Sequence, residues 1–76
     1  MPHITLRLRG ELAKVLPGGT QEFDLESGTT LEDFLSEHGL AARHYVVMLN
    51  NEVSPSRETV LKDGDHIVVH PQMAGG

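Results

Sequence analysis

Nowhere in its 76 residues does this chain carry a cysteine. A chain this short buries only about 60–65% of the surface its unfolded form exposes. Neither a disulfide framework nor a thiolate metal site is available to make up the shortfall. The fold must therefore rest on apolar packing and regular backbone hydrogen bonding. That limits it to one small core built from a few strongly patterned elements.

The patterning is visible from the start. Ile4, Leu6 and Leu8 alternate with Thr5, Arg7 and Arg9, the signature of a half-buried strand. Gly10 ends it. Residues 11–16 have room for a single helical turn before Pro17-Gly18-Gly19 breaks the run. Phe23 and Leu25 then alternate with Glu22, Asp24 and Glu26, which predicts a second strand closed by Ser27-Gly28. Further on, residues 45–49 (YVVML) read as a strand, and Asn50-Asn51 as a tight turn that tolerates left-handed dihedrals. Val53 begins a short edge segment before a turn at Ser54-Pro55. Residues 62–65 (KDGD) make a polar turn into a last strand centred on Ile67, Val68 and Val69.

One stretch alone has helical period. Leu31, Phe34 and Leu35 recur at three- and four-residue spacing, with Leu40 just beyond. Thr29-Thr30-Leu31-Glu32 reads as a capping box in which Glu32 reaches back to the cap. The early acids suit the positive end of the helix dipole, and Gly39 is a left-handed stop. The predicted helix has about 8–10 residues. The order strand, strand, helix, strand, short strand, strand makes an α+β fold with the helix on one face of a mixed four- to five-stranded sheet. Its expected core is Ile4, Leu6, Leu8, Phe23, Leu25, Leu31, Phe34, Leu35, Val47, Leu49, Ile67 and Val69. That set leaves no room for an internal cofactor.

Six basic residues against eleven acidic ones give a net charge of −5, which disfavours binding to a phosphate backbone. Nucleic acid is not an expected partner. The first residues lack a basic and an apolar signal region, and no run approaches the length of a membrane span. The expected location is the cytoplasm, with no membrane partner. Of the five histidines, His66 and His70 share a strand face but stand about 13 Å apart, too far to chelate one ion. His3 is a candidate neighbour of His66 across an adjacent strand. Without cysteine such a site lacks its usual ligands, and no metal is expected.

The end of the sequence is its most specific part. A strand at residues 66–70 runs into Pro71-Gln72-Met73-Ala74 and then Gly75-Gly76. A diglycine there has no packing role that needs two glycines. It offers a carboxylate on a stem without side chains, although small residues also collect at frayed ends. Residues 61–76, from Leu61 through Asp63-Gly64-Asp65 to the diglycine, resemble the sulfur-carrier branch of the β-grasp (ubiquitin-like) superfamily, the ThiS/MoaD group. That group includes the thiamine-biosynthesis sulfur carrier and the small subunit of molybdopterin synthase. Residues 49–53 are similar to the family's segment of apolar residue, Asn, turn and Val, and residues 28–31 to its helix entry. His70 stands where many members have an aromatic residue, and Gln72 where molybdopterin-type relatives often have a second proline.

The resemblance implies a β-grasp body over residues 1–71 and a flexible tail over 72–76. It implies that Gly76, presented by Gly75, is adenylated by a ubiquitin-activating-type enzyme using ATP, receives sulfur from a persulfide sulfurtransferase and becomes a thiocarboxylate for an acceptor synthase. The chain itself would be neither an enzyme nor a holder of a cofactor. The residue types suit the task. Gly75, Gly76 and Ala74 let a stem thread a narrow channel, and Pro71 restrains it. The docking surface is expected on the sheet face away from the helix, where Arg7, Val46, Met48, Val68 and His70 point, with Pro71, Met73 and Ala74 contacting the partner along the tail. Thr5, Arg9 and His66 share that outward set. Three other readings stand beside this one: a protein modifier joined through Gly76 to lysines, a stable subunit of a molybdopterin-synthase-like enzyme, and an interaction module with an idle tail.

Overall fold

The computed structural model describes residues 1–40, 45–53 and 55–71. Five strands and one α-helix appear: β1 His3–Leu8, β2 Thr20–Asp24, α1 Leu31–Glu37, β3 Tyr45–Leu49, β4 Glu52–Val53 and β5 His66–Pro71. The sheet order is β2-β1-β5-β3-β4. β1 and β5 are parallel neighbours at the centre, with Leu6 opposite Ile67 and Leu8 opposite Val69. The other pairings are antiparallel. The α+β architecture expected from the alternation is the one observed, with five strands and the helix on one face.

The alternation decides which face is filled. Ile4, Leu6 and Leu8 of β1, Val47 and Leu49 of β3, and Ile67 and Val69 of β5 are all buried beneath Leu31, Phe34 and Leu35 of α1. Two expectations need correcting. Phe23 and Leu25 are only half-buried, packed against the core rather than inside it. β2 is an edge strand that ends at Asp24, so these two side chains are covered from one side. Conversely, Leu40 and Leu61 are buried although neither lies in a helix or strand.

The helix differs from its predicted form in two respects: it has seven residues rather than about 8–10, and its cap is displaced. The capping box is shifted by a residue: Asp33 N–H donates to Thr30 Oγ1 at 3.1 Å, and Thr30 N–H to Asp33 Oδ2 at 3.4 Å. Thr29 instead donates its hydroxyl to Glu26 O at 2.7 Å, and Glu32 pairs with Arg57 at 3.5 Å. The start is further held by the chain near residue 60. Leu31 N–H donates to Thr59 O and Glu32 N–H to Arg57 O, each at 2.9 Å, which satisfies first-turn donors that a helix cannot satisfy itself. The other end is a Schellman motif. Gly39, at φ 71, donates to Ser36 O at 3.2 Å, and Leu40 N–H to Leu35 O at 2.7 Å, so Leu40 is folded into the core. At seven residues the helix is too short to persist alone; its ends and its packing hold it.

Of residues 11–16, expected to form one turn, all but Leu16 lie in a 3-10 segment over Gly10–Val15, and Leu16 is extended. Asn50 and Asn51 both take positive φ, 51 and 72, as a two-residue turn between β3 and β4 requires. Ser54, expected in a turn, lies outside the described residues.

Candidate functional site

β5 leads to the tail, and its position follows from the turn ahead of it. Each residue of the Asp-Gly-Asp run has a definite partner. Asp63 Oδ1 accepts from His3 N–H at 2.9 Å. Gly64, at φ 88, donates to His3 O at 2.8 Å. Asp65 accepts from Lys62 N–H at 2.7 Å and from Asn50 Nδ2 at 2.9 Å. Asn50 Oδ1 in turn accepts from His66 N–H at 2.9 Å. The entry to β5 is thus tied both to the start of β1 and to the β3–β4 turn.

At the exit, Pro71 ends the strand opposite Tyr45. It lies against Gly10, where an added Cβ would stand 3.1 Å from Pro71 Cγ at a φ of +60. A side chain at position 10 would be strained by its own backbone and would press on the stem. Gln72, Met73, Ala74, Gly75 and Gly76 lie outside the described residues.

The open face is described in full from β1 to β4. The register sets Thr20, Arg7, Val68, Met48 and Val53 in one row across all five strands. A second row brings His70 opposite Val46. Arg7, Met48, Val68 and His70 line one shallow concavity of about 450 Å³, joined by Arg9, His66 and the Asn50-Asn51 turn. Val46 and Pro71 share the face or its end but are not in that lining. Val46, Met48 and Val68 are half-buried rather than exposed as expected, because on inner strands each has neighbours on both sides of its row. Among the described residues neither Arg7 nor Arg9 pairs with a carboxylate. The face is locally basic on an acidic chain.

His3 does not turn to His66. Its ring is held by two carboxylates of β2, with Nδ1 bonded to Asp24 Oδ1 at 2.7 Å and Nε2 to Glu22. The bond to Glu22, and then that to Asp24, raise its pKa from 6.5 to about 9. Alternation along each strand was readable, but this trio depends on the antiparallel register that sets His3 opposite Asp24. No group of three metal-ligating side chains occurs among the described residues. No helix among them is long and apolar enough to cross a membrane.

Known proteins share this architecture. SAMP1 of Haloferax volcanii superposes with a TM-score of 0.79 at 21% identity, covering 97% of this chain and 99% of that one. A putative molybdopterin converting factor, subunit 1, of Pyrococcus furiosus gives 0.79 at 18% identity, covering 96% and 100%. The HVO 2177 protein of Haloferax volcanii gives 0.80 at 25% identity, covering 99% and 87%. These likenesses establish the β-grasp fold. No curated protein matches by sequence. The sequence model of the ThiS family matches residues 6–76, from β1 through the diglycine, and on that match the chain belongs to the ThiS family.

Proposed function

We propose that this chain is a sulfur carrier whose working group is the Gly76 carboxylate. The observation that carries the proposal is the family match, which extends through residue 76 and so includes Gly75-Gly76. A carboxylate at neutral pH is a poor electrophile. In the proposed sequence it attacks the α-phosphorus of ATP on an activating enzyme, pyrophosphate leaves, and an acyl-adenylate forms. The outer sulfur of a persulfide then displaces AMP to give an acyl disulfide, and a thiol attacks its other sulfur, breaking the S–S bond to form a new disulfide and release the thiocarboxylate. The acceptor synthase receives that sulfur at high effective concentration because it arrives tethered. The chain contributes presentation: a restrained stem at Pro71, a narrow tail, and a face for docking.

Intact-mass analysis of the protein from its native host tests this. A species with one oxygen exchanged for sulfur is expected, and it should vanish when Gly76 is deleted. Its absence from cells with an active sulfur-transfer route would overturn the reading. The likeness to SAMP1, described in a second structure as small archaeal modifier protein 1, favours one other use of the same activated terminus. Attack by a lysine amine instead of a persulfide would give an isopeptide. Diglycine remnants on lysines of other proteins, with no thiocarboxylate species, would favour it.

A further inference from the structure

We propose that the outer edge of β2 is a second docking site, which takes an extended peptide of alternating apolar residues flanked by lysine or arginine as an added strand. β2 is the end of the sheet. Leu25 N–H donates to Pro2 O at 2.8 Å, so along this antiparallel ladder Leu25, Phe23 and Gln21 direct their backbone groups inward to β1. By the same alternation Glu22 and Asp24 direct theirs outward. Among the described residues these outward groups have no backbone partner. The strand is five residues long, with no proline within it, and nothing described covers its edge. Such an edge is a template for another strand.

The chemistry of the incoming strand is set by what lies beside that edge. On the helix side a groove of about 370 Å³ runs between β2 and α1. Phe23 and Leu25 supply apolar surface, and Glu26 and Glu37 bring carboxylates. The Phe23 ring is fixed edge-on against Phe34 at 5.3 Å and His38 at 4.8 Å, so the apolar floor is preformed. On the other side of the edge Glu22 and Asp24 hold His3. An added strand puts every second side chain over the groove floor and keeps its ends among carboxylates. This is charge complementarity to a basic peptide, opposite in sign to the Arg7–Arg9 face. The two sites therefore select different partners, and the β2 site is independent of the tail chemistry.

The test uses the full chain, isotopically labelled, and the synthetic peptide Lys-Val-Thr-Val-Thr-Val-Lys with blocked ends. Saturable amide shifts are expected at residues 20–25 and in α1, with slowed exchange at the Glu22 and Asp24 amides. The same peptide with glutamate in place of lysine should not bind. Glu22→Pro removes an outward N–H without touching the ladder to β1 and should weaken binding by about tenfold or more, a larger loss than that of Glu22→Ala, which removes the same carboxylate but keeps the N–H. If Glu22→Pro does not fold, the double variant Glu26→Lys/Glu37→Lys decides: it should lose the lysine peptide by a similar factor. Shifts confined to the Arg7, Val68 and Met48 row, no saturable shift at low salt, or equal binding by the folded variants would overturn the proposal.

Discussion

His3 shows how much of a residue's chemistry is decided by register. In the sequence it is a histidine directly before Ile4, marked out only as a candidate neighbour of His66. Placed between Glu22 and Asp24 it becomes an imidazolium in the folded state, with a pKa raised from 6.5 to about 9. A group whose folded pKa lies above its unfolded value stabilises fully below the unfolded pKa and loses that contribution as pH rises through the folded one. Comparing the Tm of the parent with that of His3→Gln should therefore show a gap that is widest below about pH 6.5, narrows across the interval and closes above about pH 9. The trio is well exposed, so added salt should shrink the gap at every pH. A gap that grows with pH would contradict the pairing. Asp63 and Asp65 were legible only as turn residues. Their partners, His3 N–H and Asn50 Nδ2, come from distant parts of the sequence.

For the elements, the strands were the most legible because their alternation is local. β3 has the bounds the sequence predicts. The helix was placed correctly and capped one residue too early. The Thr29-Thr30 doublet followed by Glu32-Asp33 offers two overlapping capping boxes, and pattern alone does not choose between them. What chooses is the bridge between Thr30 and Val60, a tertiary contact that pins Thr30 in the extended cap conformation. Thr30→Ala should accordingly destabilise the protein by about 1 kcal/mol in a denaturant titration. Glu32→Ala, which loses a partly exposed pairing with Arg57 and a long hydrogen bond from Ser36 Oγ, should cost less, about 0.2–1 kcal/mol. The reverse ranking would restore the earlier box. Leu40 and Leu61 were missed as core for a related reason. Each is carried inward by a cap or a turn, outside any periodic run.

At the level of the whole molecule, charge is distributed unevenly. The chain is net −5, yet the open face has Arg7 and Arg9 unpaired by carboxylates among the described residues, while the far edge holds Glu22, Asp24 and Glu26. The open face was legible as a set of outward residues, since period two fixes which side each occupies. Its concavity was not, because the Asn50-Asn51 turn joins it from another part of the chain. If that face receives the activating enzyme, Val68→Glu should slow ATP-dependent activation of Gly76 by about tenfold or more with little change in Tm, measured as ATP consumption with a purified activating partner. An unchanged rate with a folded variant would remove the face from the docking surface. The parallel pairing of β1 with β5 has one more consequence, which is mechanical. A force applied between the amino terminus and the tail draws these two strands past each other along their length. It loads the rungs of the ladder together instead of peeling them apart in turn. A partner that tugs on the stem at Pro71 should therefore meet a stiff anchor.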